Sequence, residues 1–336
     1  MKKKARFWET IKDSQVECKL CNQNCKIKNN QTGFCGVRKN EGQKLYTLIY
    51  GSCSSVAVDP IEKKPLYHFK PGTKALSLGT VGCNFRCMHC QNATISRASP
   101  DDFPYMKNYS PEEIVSLAKD KGCEGIAWTY NEPGIWYEFS FDTAKLAHEE
   151  GLYNVYVTNG YIQEEPLREI APYLDALNID VKAFNNDFYK EVCKARLKPV
   201  LESCELSKKL GLHLEVTYLI IPGYNDSEEE IQDFCSWVTE KLGEETPVHF
   251  SRFHPDYKMR DVSMTSIETM NQAHEIAKES GIQHPYLGNV PPGKHDNTFC
   301  PNCNNICISR RGFSAQKKGL KESRCSKCGC ELSLTI

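Results

Sequence analysis

The sequence predicts an α/β fold: a partial or complete (β/α) barrel over residues 74–290, with small cysteine-rich modules before it (1–73) and after it (291–336). Three observations predict it. Short β-rich runs alternate with amphipathic helical stretches from Lys74 to Asn289, the runs are apolar nearly throughout, and the cysteines crowd into both flanks and one central loop.

The predicted strands are Lys74–Thr80, Gly125–Tyr130, Asn154–Asn159, Leu177–Ala183, Leu214–Ile221, Pro247–Phe253 and His284–Asn289. Runs such as ALSLG, IAWTY, VYVTN and LEVTYLII lack the alternation of a half-exposed strand, so they fit a parallel sheet buried on both faces. Between them, Ser110-Pro111-Glu112-Glu113 supplies a capping serine, a first-turn proline and a capping-box glutamate before Ile114 and Val115. Ser227 to Glu230 repeats the device before Ile231, Phe234 and Trp237, and Gly122, Gly151, Gly211, Gly243 and Gly281 act as helix stops. Strand-helix units roughly 30 residues apart imply right-handed crossovers and about six barrel units. A doubly wound sheet is the alternative. The proline-punctuated stretch VDPIEKKPLYHFKPG is expected to run over the core rather than join it.

With 42 basic against 43 acidic residues, charge gives no reason to expect nucleic acid or an anionic membrane as partner. The start, MKKKARFWETIKDSQ, has no apolar signal region, and no run of about 18 apolar residues occurs, so a cytoplasmic location is expected. Eighteen cysteines exceed what packing needs, and a reducing cytosol argues against disulfides, which leaves metal-bound thiolates. The scattered Cys123, Cys193, Cys204 and Cys235 read as buried small hydrophobes.

Cys83, Cys87 and Cys90, in GCNFRCMHCQN, follow directly on the first predicted parallel strand. They therefore occupy a loop at the C-terminal rim, where ligand and catalytic groups collect. Their spacing lets soft thiolates wrap one face of an iron-sulfur cubane. Electron-transfer clusters take four cysteine ligands, so three leave one iron open. A zinc site completed by His89 and a nucleophilic cysteine are the alternatives.

At the C-terminus, Cys300-Pro301-Asn302-Cys303 and Cys325-Ser326-Lys327-Cys328, 21 residues apart, have zinc-ribbon spacing. Zinc is expected there, with an extra iron-sulfur cluster as the alternative. The surrounding Arg310, Arg311, Lys317, Lys318, Lys321, Arg324 and Lys327 have only Phe313 as aromatic company, so they read as a solvated charged face rather than a nucleic-acid surface. Cys18, Cys21, Cys25 and Cys35 can form another four-thiolate site, with zinc favoured over an auxiliary iron-sulfur cluster and Cys53 left as a free thiol.

CNFRCMHC resembles the CxxxCxxC signature of the radical S-adenosylmethionine (SAM) superfamily, and later positions most resemble pyruvate formate-lyase-activating enzymes. The resemblance implies a radical SAM barrel with a 4Fe-4S cluster on Cys83, Cys87 and Cys90. Its open iron would chelate SAM, whose reductive cleavage yields a 5′-deoxyadenosyl radical. His89 stands where the family places an aromatic residue near the adenine. Tyr130-Asn131-Glu132-Pro133 resembles the Gly-Gly-Glu-Pro motif, which puts Asn131 and Glu132 beside the cofactor and aims Glu132 at the methionyl amino group. Asn159 in VTNGY matches a ribose or methionyl contact. Asp180 and Lys182 in NIDVK match an acid-lysine pair, with the lysine suited to the carboxylate. His254 in FSRFHPDYK matches a histidine near the ribose. All fall at predicted C-terminal strand ends.

Over nearly the full length the sequence is similar to the radical enzymes of the AmmeMemoRadiSam system, through CKLCNQNCKIKNNQTGFCGVR, VDPIEKKPLYHFKPG, TYNEPGIWYE, IIPGYND and CPNC…CSKCG. This implies AMMECR-domain and Memo-like proteins as partners, together with an external one-electron donor. The expected activity is hydrogen abstraction from a small-molecule or partner-bound substrate. The rival readings are an activating enzyme for a glycyl-radical protein and a non-catalytic zinc-binding interaction protein.

Overall fold

The computed structural model describes residues 1–336. Seven parallel strands lie side by side in chain order: Lys74–Gly79, Gly125–Trp128, Tyr153–Thr158, Ala176–Asp180, His213–Ile220, Val248–Arg252 and Pro285–Gly288. Each falls on a predicted run. Their order never reverses, so the switch point that defines a doubly wound sheet does not exist here. The two edge strands do not pair with each other, which makes the barrel a partial one.

An eighth strand, Ser55–Pro60, runs antiparallel to Lys74–Gly79, in register from Ser55 opposite Gly79 to Pro60 opposite Lys74. This corrects the expectation that the VDPIEKKPLYHFKPG stretch passes over the core. Pro60 is tolerated because it ends an edge strand, where no partner waits for its missing N–H. The chain then folds inward, and Ile61, Leu66 and Phe69 pack on the small residues Ala75, Ala127 and Ala176 of the inner sheet face.

Strand alternation divides the sheet. The outer positions, including Leu76, Ile126, Tyr156, Ile179, Val216 and Phe250, join a 67-residue core that they share with the helices. Val16, Leu20, Ile27, Val37 and Leu45 belong to the same core, so the N-terminal cysteine-rich segment is packed into the barrel wall. At helix Pro111–Asp120 the predicted capping box forms in both directions, with Ser110 Oγ accepting from Glu113 N–H and Glu113 Oε2 from Ser110 N–H. At helix Glu228–Trp237 only half of it forms. Ser227 caps the helix, but Glu230 accepts from Phe184 N–H, Asn185 Nδ2 and Tyr218 Oη, anchoring a loop at the barrel rim.

Inner positions carry polar groups. Glu215 is fully buried and accepts from Tyr67 N–H at 3.0 Å and His68 N–H at 2.7 Å, and it pairs with His213 at 3.0 Å and His249 at 2.6 Å. Burial pushes its carboxyl up, but the bonds from His213 and His249 outweigh that and hold it well below the ordinary value.

The C-terminal module is a three-stranded antiparallel sheet, Thr298–Phe299, Ile306–Arg311 and Ser314–Lys317, followed by a short hairpin. Arg310, expected among solvated charges, is buried. Its guanidinium lies 4.2 Å from the Tyr67 ring centroid and donates to Thr298 Oγ1 and the Tyr67 carbonyl, tying the module to the barrel floor. No helix is long and apolar enough to cross a membrane.

Glu215→Gln removes the charge on which two amides and two imidazoles converge, and a loss of about 3 kcal/mol or more is expected at pH 7 by denaturant unfolding. Because the native carboxyl titrates below 4.5, its stabilisation is complete above that pH and is lost as pH falls through the native value. The gap between wild type and variant therefore narrows in acid. A gap independent of pH would show that Glu215 is not held as a carboxylate.

Candidate active site

The chain leaves strand Lys74–Gly79 and turns at Gly82, where φ is +84° and a Cβ would stand 2.6 Å from the Cys35 carbonyl oxygen. Only glycine fits a left-handed turn this close to another backbone. The loop that follows has no regular structure, so its polar backbone must be satisfied by other segments. Asn131 does this on one side, accepting from Thr80 N–H at 3.2 Å and donating to Gly82 C=O at 2.8 Å. On the other, Arg86 N–H bonds to Cys193 C=O and Met88 N–H to Val192 C=O.

Held in this way, Cys83, Cys87 and Cys90 line a cavity of about 210 Å³ with His89, Asn131, Asn159, Asp180 and Lys182. Seven wall residues, among them Tyr130, Asn131, Asp180, Thr217 and Ser251, also face an outer chamber of about 640 Å³. Gly312 and Phe313 of the C-terminal module wall part of that chamber.

Lys182 Nζ is 3.0 Å from Asp180 Oδ2. Burial works against the ammonium, but Asp180 outweighs it and keeps the group charged. His89 is buried and stacks on Phe188 with ring centroids 6.0 Å apart, and neither of its ring nitrogens has a partner. Burial, helped by Lys182, lowers its pKa to about 3, so the imidazole is neutral. Cys193, fully buried and outside the cavity wall, stands beside Cys87 and holds that thiol below its ordinary value.

Two predicted residues sit elsewhere. Glu132 lies behind the wall, accepting from Gly134 N–H at 2.8 Å, Thr158 Oγ1 at 2.7 Å and Asn159 N–H at 2.8 Å. Burial raises its carboxyl to about 6. It positions Asn159, whose Nδ2 donates to Asn84 Oδ1 at 2.7 Å and lies 3.9 Å from Cys83 Sγ. His254 is half-buried and lines neither lobe, whereas Ser251, three residues earlier, lines both. Sequence reasoning missed Ser251, Thr217 and Arg97. The first two were recoverable, since strand alternation places them on the inner face with His249 and Glu215.

The cysteine groups differ in spacing. Cys300, Cys303, Cys325 and Cys328 bring their sulfurs within 4.8 Å of one another, with Cys300 to Cys328 at 3.5 Å and Cys303 to Cys325 at 3.7 Å. Four thiolates around one ion at about 2.3 Å stand roughly 3.8 Å apart, so this group has the spacing of a single-metal site. No three ligand atoms among Cys83, Cys87, Cys90 and His89 gather within 4.8 Å, which disfavours the alternative of a zinc completed by His89. The trio suits a cluster in which each thiolate holds its own iron. The unpartnered His89 nitrogens and the Lys182 ammonium suit a ligand that carries a nucleobase and a carboxylate.

A family model for the radical SAM superfamily matches residues 77–235. The chain is 49% identical over 336 residues to the uncharacterized protein MJ0808 of Methanocaldococcus jannaschii, covering 99% of this chain and 100% of that one. It is 24% identical to the pyruvate formate-lyase-activating enzyme of Clostridium pasteurianum, over 59% of this chain and 87% of the relative. It is also 24% identical to the GTP 3',8-cyclase of Lactiplantibacillus plantarum, over 69% and 74%. Among solved structures, Streptococcus suis SuiB shares the fold, with a TM-score of 0.51 at 12% identity over 66% of this chain and 51% of SuiB. With a family match on the segment that carries the cysteine loop and its supporting strand ends, the chain belongs to the radical SAM superfamily, which implies a 4Fe-4S cluster and SAM.

Proposed function

We propose that the protein is an enzyme that cleaves SAM reductively at a 4Fe-4S cluster on Cys83, Cys87 and Cys90. The radical would take a hydrogen atom from a small-molecule or partner-bound substrate in the outer chamber. One observation carries this reading. Three thiolates, with no fourth cysteine in the wall, face a cavity that continues into a second chamber large enough for another molecule.

When bound, the cofactor supplies the 5′-deoxyadenosyl radical. The chain supplies position. Lys182, held by Asp180, is the cation for the methionyl carboxylate, and the neutral His89 offers its ring nitrogens beside the adenine. Asn159, fixed by Glu132, and Asn131, fixed by the loop it clamps, present amides at the same rim. The outer chamber is lined by Glu62, Lys63, Lys64, His249 and Asp296, which favours a polar substrate. Similarity to an activating enzyme supports a second reading, radical installation in a partner protein. AMMECR-domain and Memo-like proteins remain the proposed partners. We assign zinc to the C-terminal group.

Anaerobically reconstituted, reduced protein is expected to release 5′-deoxyadenosine from SAM, and Cys87→Ala to release none. Equal yields from both, or none from wild type, would overturn the assignment. Lys182→Met removes a charge-assisted bond of about 1.5–3 kcal/mol, so SAM affinity is expected to fall about 10- to 100-fold at unchanged iron content. Calorimetric titration checks this, and an unchanged Kd removes Lys182 from the carboxylate site. Cys300→Ser with Cys303→Ser is expected to lose about one zinc per chain and lower Tm without loss of iron.

A further inference from the structure

We propose that Cys18, Cys21, Cys25 and Cys35 hold a second iron-sulfur cluster, a four-iron cubane ligated by all four thiolates, beside the SAM-binding site. This goes beyond the function proposed above and does not depend on it.

The four cysteines line one pocket, yet no three of their sulfurs lie within 4.8 Å of one another. The C-terminal group, in the same chain and with the same number of thiolates, does gather to that spacing. A single tetrahedral ion needs the compact arrangement, with sulfurs roughly 3.8 Å apart. A cubane needs the open one, because each thiolate caps a different iron. Like Cys83, Cys87 and Cys90, the N-terminal group lacks the compact sulfur spacing of a single-ion site.

A second observation points to an occupant that accepts hydrogen bonds. Arg38 lines the pocket, is 2% exposed, and leaves Nε and Nη1 without partners, although its Nη2 already bonds to Glu138 and the Arg6 carbonyl. Elsewhere the lining is mostly apolar, with Leu20, Ile27 and Ile135. Glu138 already balances the charge of this buried guanidinium, so its two idle N–H groups lack an acceptor, and metal-bound thiolates supply one. Phe34 N–H also donates to Cys25 Sγ at 3.3 Å, as Phe85 N–H does to Cys83 Sγ at 3.4 Å, and such bonds set the potential of cluster sulfurs.

The two sites share a wall. Asn84 lines the N-terminal pocket, and its side chain accepts from Asn159, which lines the SAM cavity. Gln23, between Cys21 and Cys25, donates to the Asn84 carbonyl at 2.8 Å. With four protein ligands the second cluster has no open iron, so it cannot bind SAM.

The test is iron, sulfide and zinc analysis of the full chain purified anaerobically, with two variants. Wild type is expected to hold about eight irons and about one zinc. Cys83→Ala, Cys87→Ala and Cys90→Ala combined are expected to keep about four irons, and Cys21→Ser with Cys25→Ser to lose half the iron. If the triple variant held no iron and about two zincs, the N-terminal group would be a zinc site and the proposal would fall, leaving the SAM-binding cluster intact. If wild type and the triple variant both held about four irons, the second cluster would stand and the first would be in doubt. The triple variant keeps every N-terminal residue, so it decides the question even if the N-terminal variant fails to fold.

Discussion

A loop that must carry three thiolates to the barrel mouth cannot be a helix or a strand, and it cannot be buried with its backbone unpaired. Every buried N–H or C=O left without a partner costs about 1–3 kcal/mol, a large share of a domain's net stability. The rest of the structure is arranged around meeting that constraint. Asn131 reaches across from the next strand end, Val192 and Cys193 present carbonyls from the short helical segment Tyr189–Cys193 beyond the fourth parallel strand, and Gln23 donates from the N-terminal segment. Arg86 and Arg97 donate to Phe85 C=O from within the loop and its extension. Three separate regions of chain must therefore fold together before the cysteines take their places. This is why the N-terminal segment shares the barrel's core.

The sheet separates rigidity from chemistry by depth. At the bottom of its inner face, Ile61, Leu66 and Phe69 plug the opening and Glu215 ties the plug to two strands. At the top, the same alternation that points Glu215 inward points Thr217 toward the cavity, and His249 is followed in the same way by Ser251. A fixed floor leaves the mouth, with its two adjoining chambers, as the place where a cofactor and a second molecule can meet. The C-terminal module joins this design from below through Arg310 and Tyr67, while its hairpin tip at Gly312 and Phe313 reaches the outer chamber.

The parallel sheet was legible because strands buried on both faces must be apolar, and the seven runs announced themselves. The edge strand Ser55–Pro60 was not, since a proline-ended stretch with Asp59 and two lysines after it looks like surface. Asp59 pairs locally with Lys63 and Lys64, but its bond from Tyr130 and the register of the strand against Lys74–Gly79 exist only once the strands are assembled. Cysteine spacing pointed to the central loop and both flanking groups, and the family resemblance pointed to Asn131, Asn159, Asp180 and Lys182, all at predicted strand ends. It could not reveal that Glu132 faces inward to Thr158 and Asn159, because the direction of a side chain after a turn depends on the neighbouring strand. Ser251 lines the cavity and His254 does not, because a motif match carried His254 over while the inward-facing positions of the strand end three residues earlier.

What a cysteine motif holds depends on two quantities the sequence gives unequally. The number of thiolates is countable, and it separates a site with an open coordination position from one without. The separation of the sulfurs is a tertiary property, and it separates one ion from several. CxxC knuckles turn tightly enough to settle both at once, as at Cys300 and Cys325. The central and N-terminal groups each hold only one CxxC, Cys87 with Cys90 and Cys18 with Cys21, and take their other ligands from longer spacings, so their sulfur separation follows from packing against Phe85, Asn84 and Ile135 as well as from the motif. Two groups whose sulfurs both stand too far apart for one ion, with three and four thiolates, differ also in what they face. The trio faces a cavity that can admit another ligand, and the quartet faces Arg38 and an apolar wall. Under the proposed reading, chemistry on a substrate would belong to the first, and the second would be limited to electron transfer or bracing.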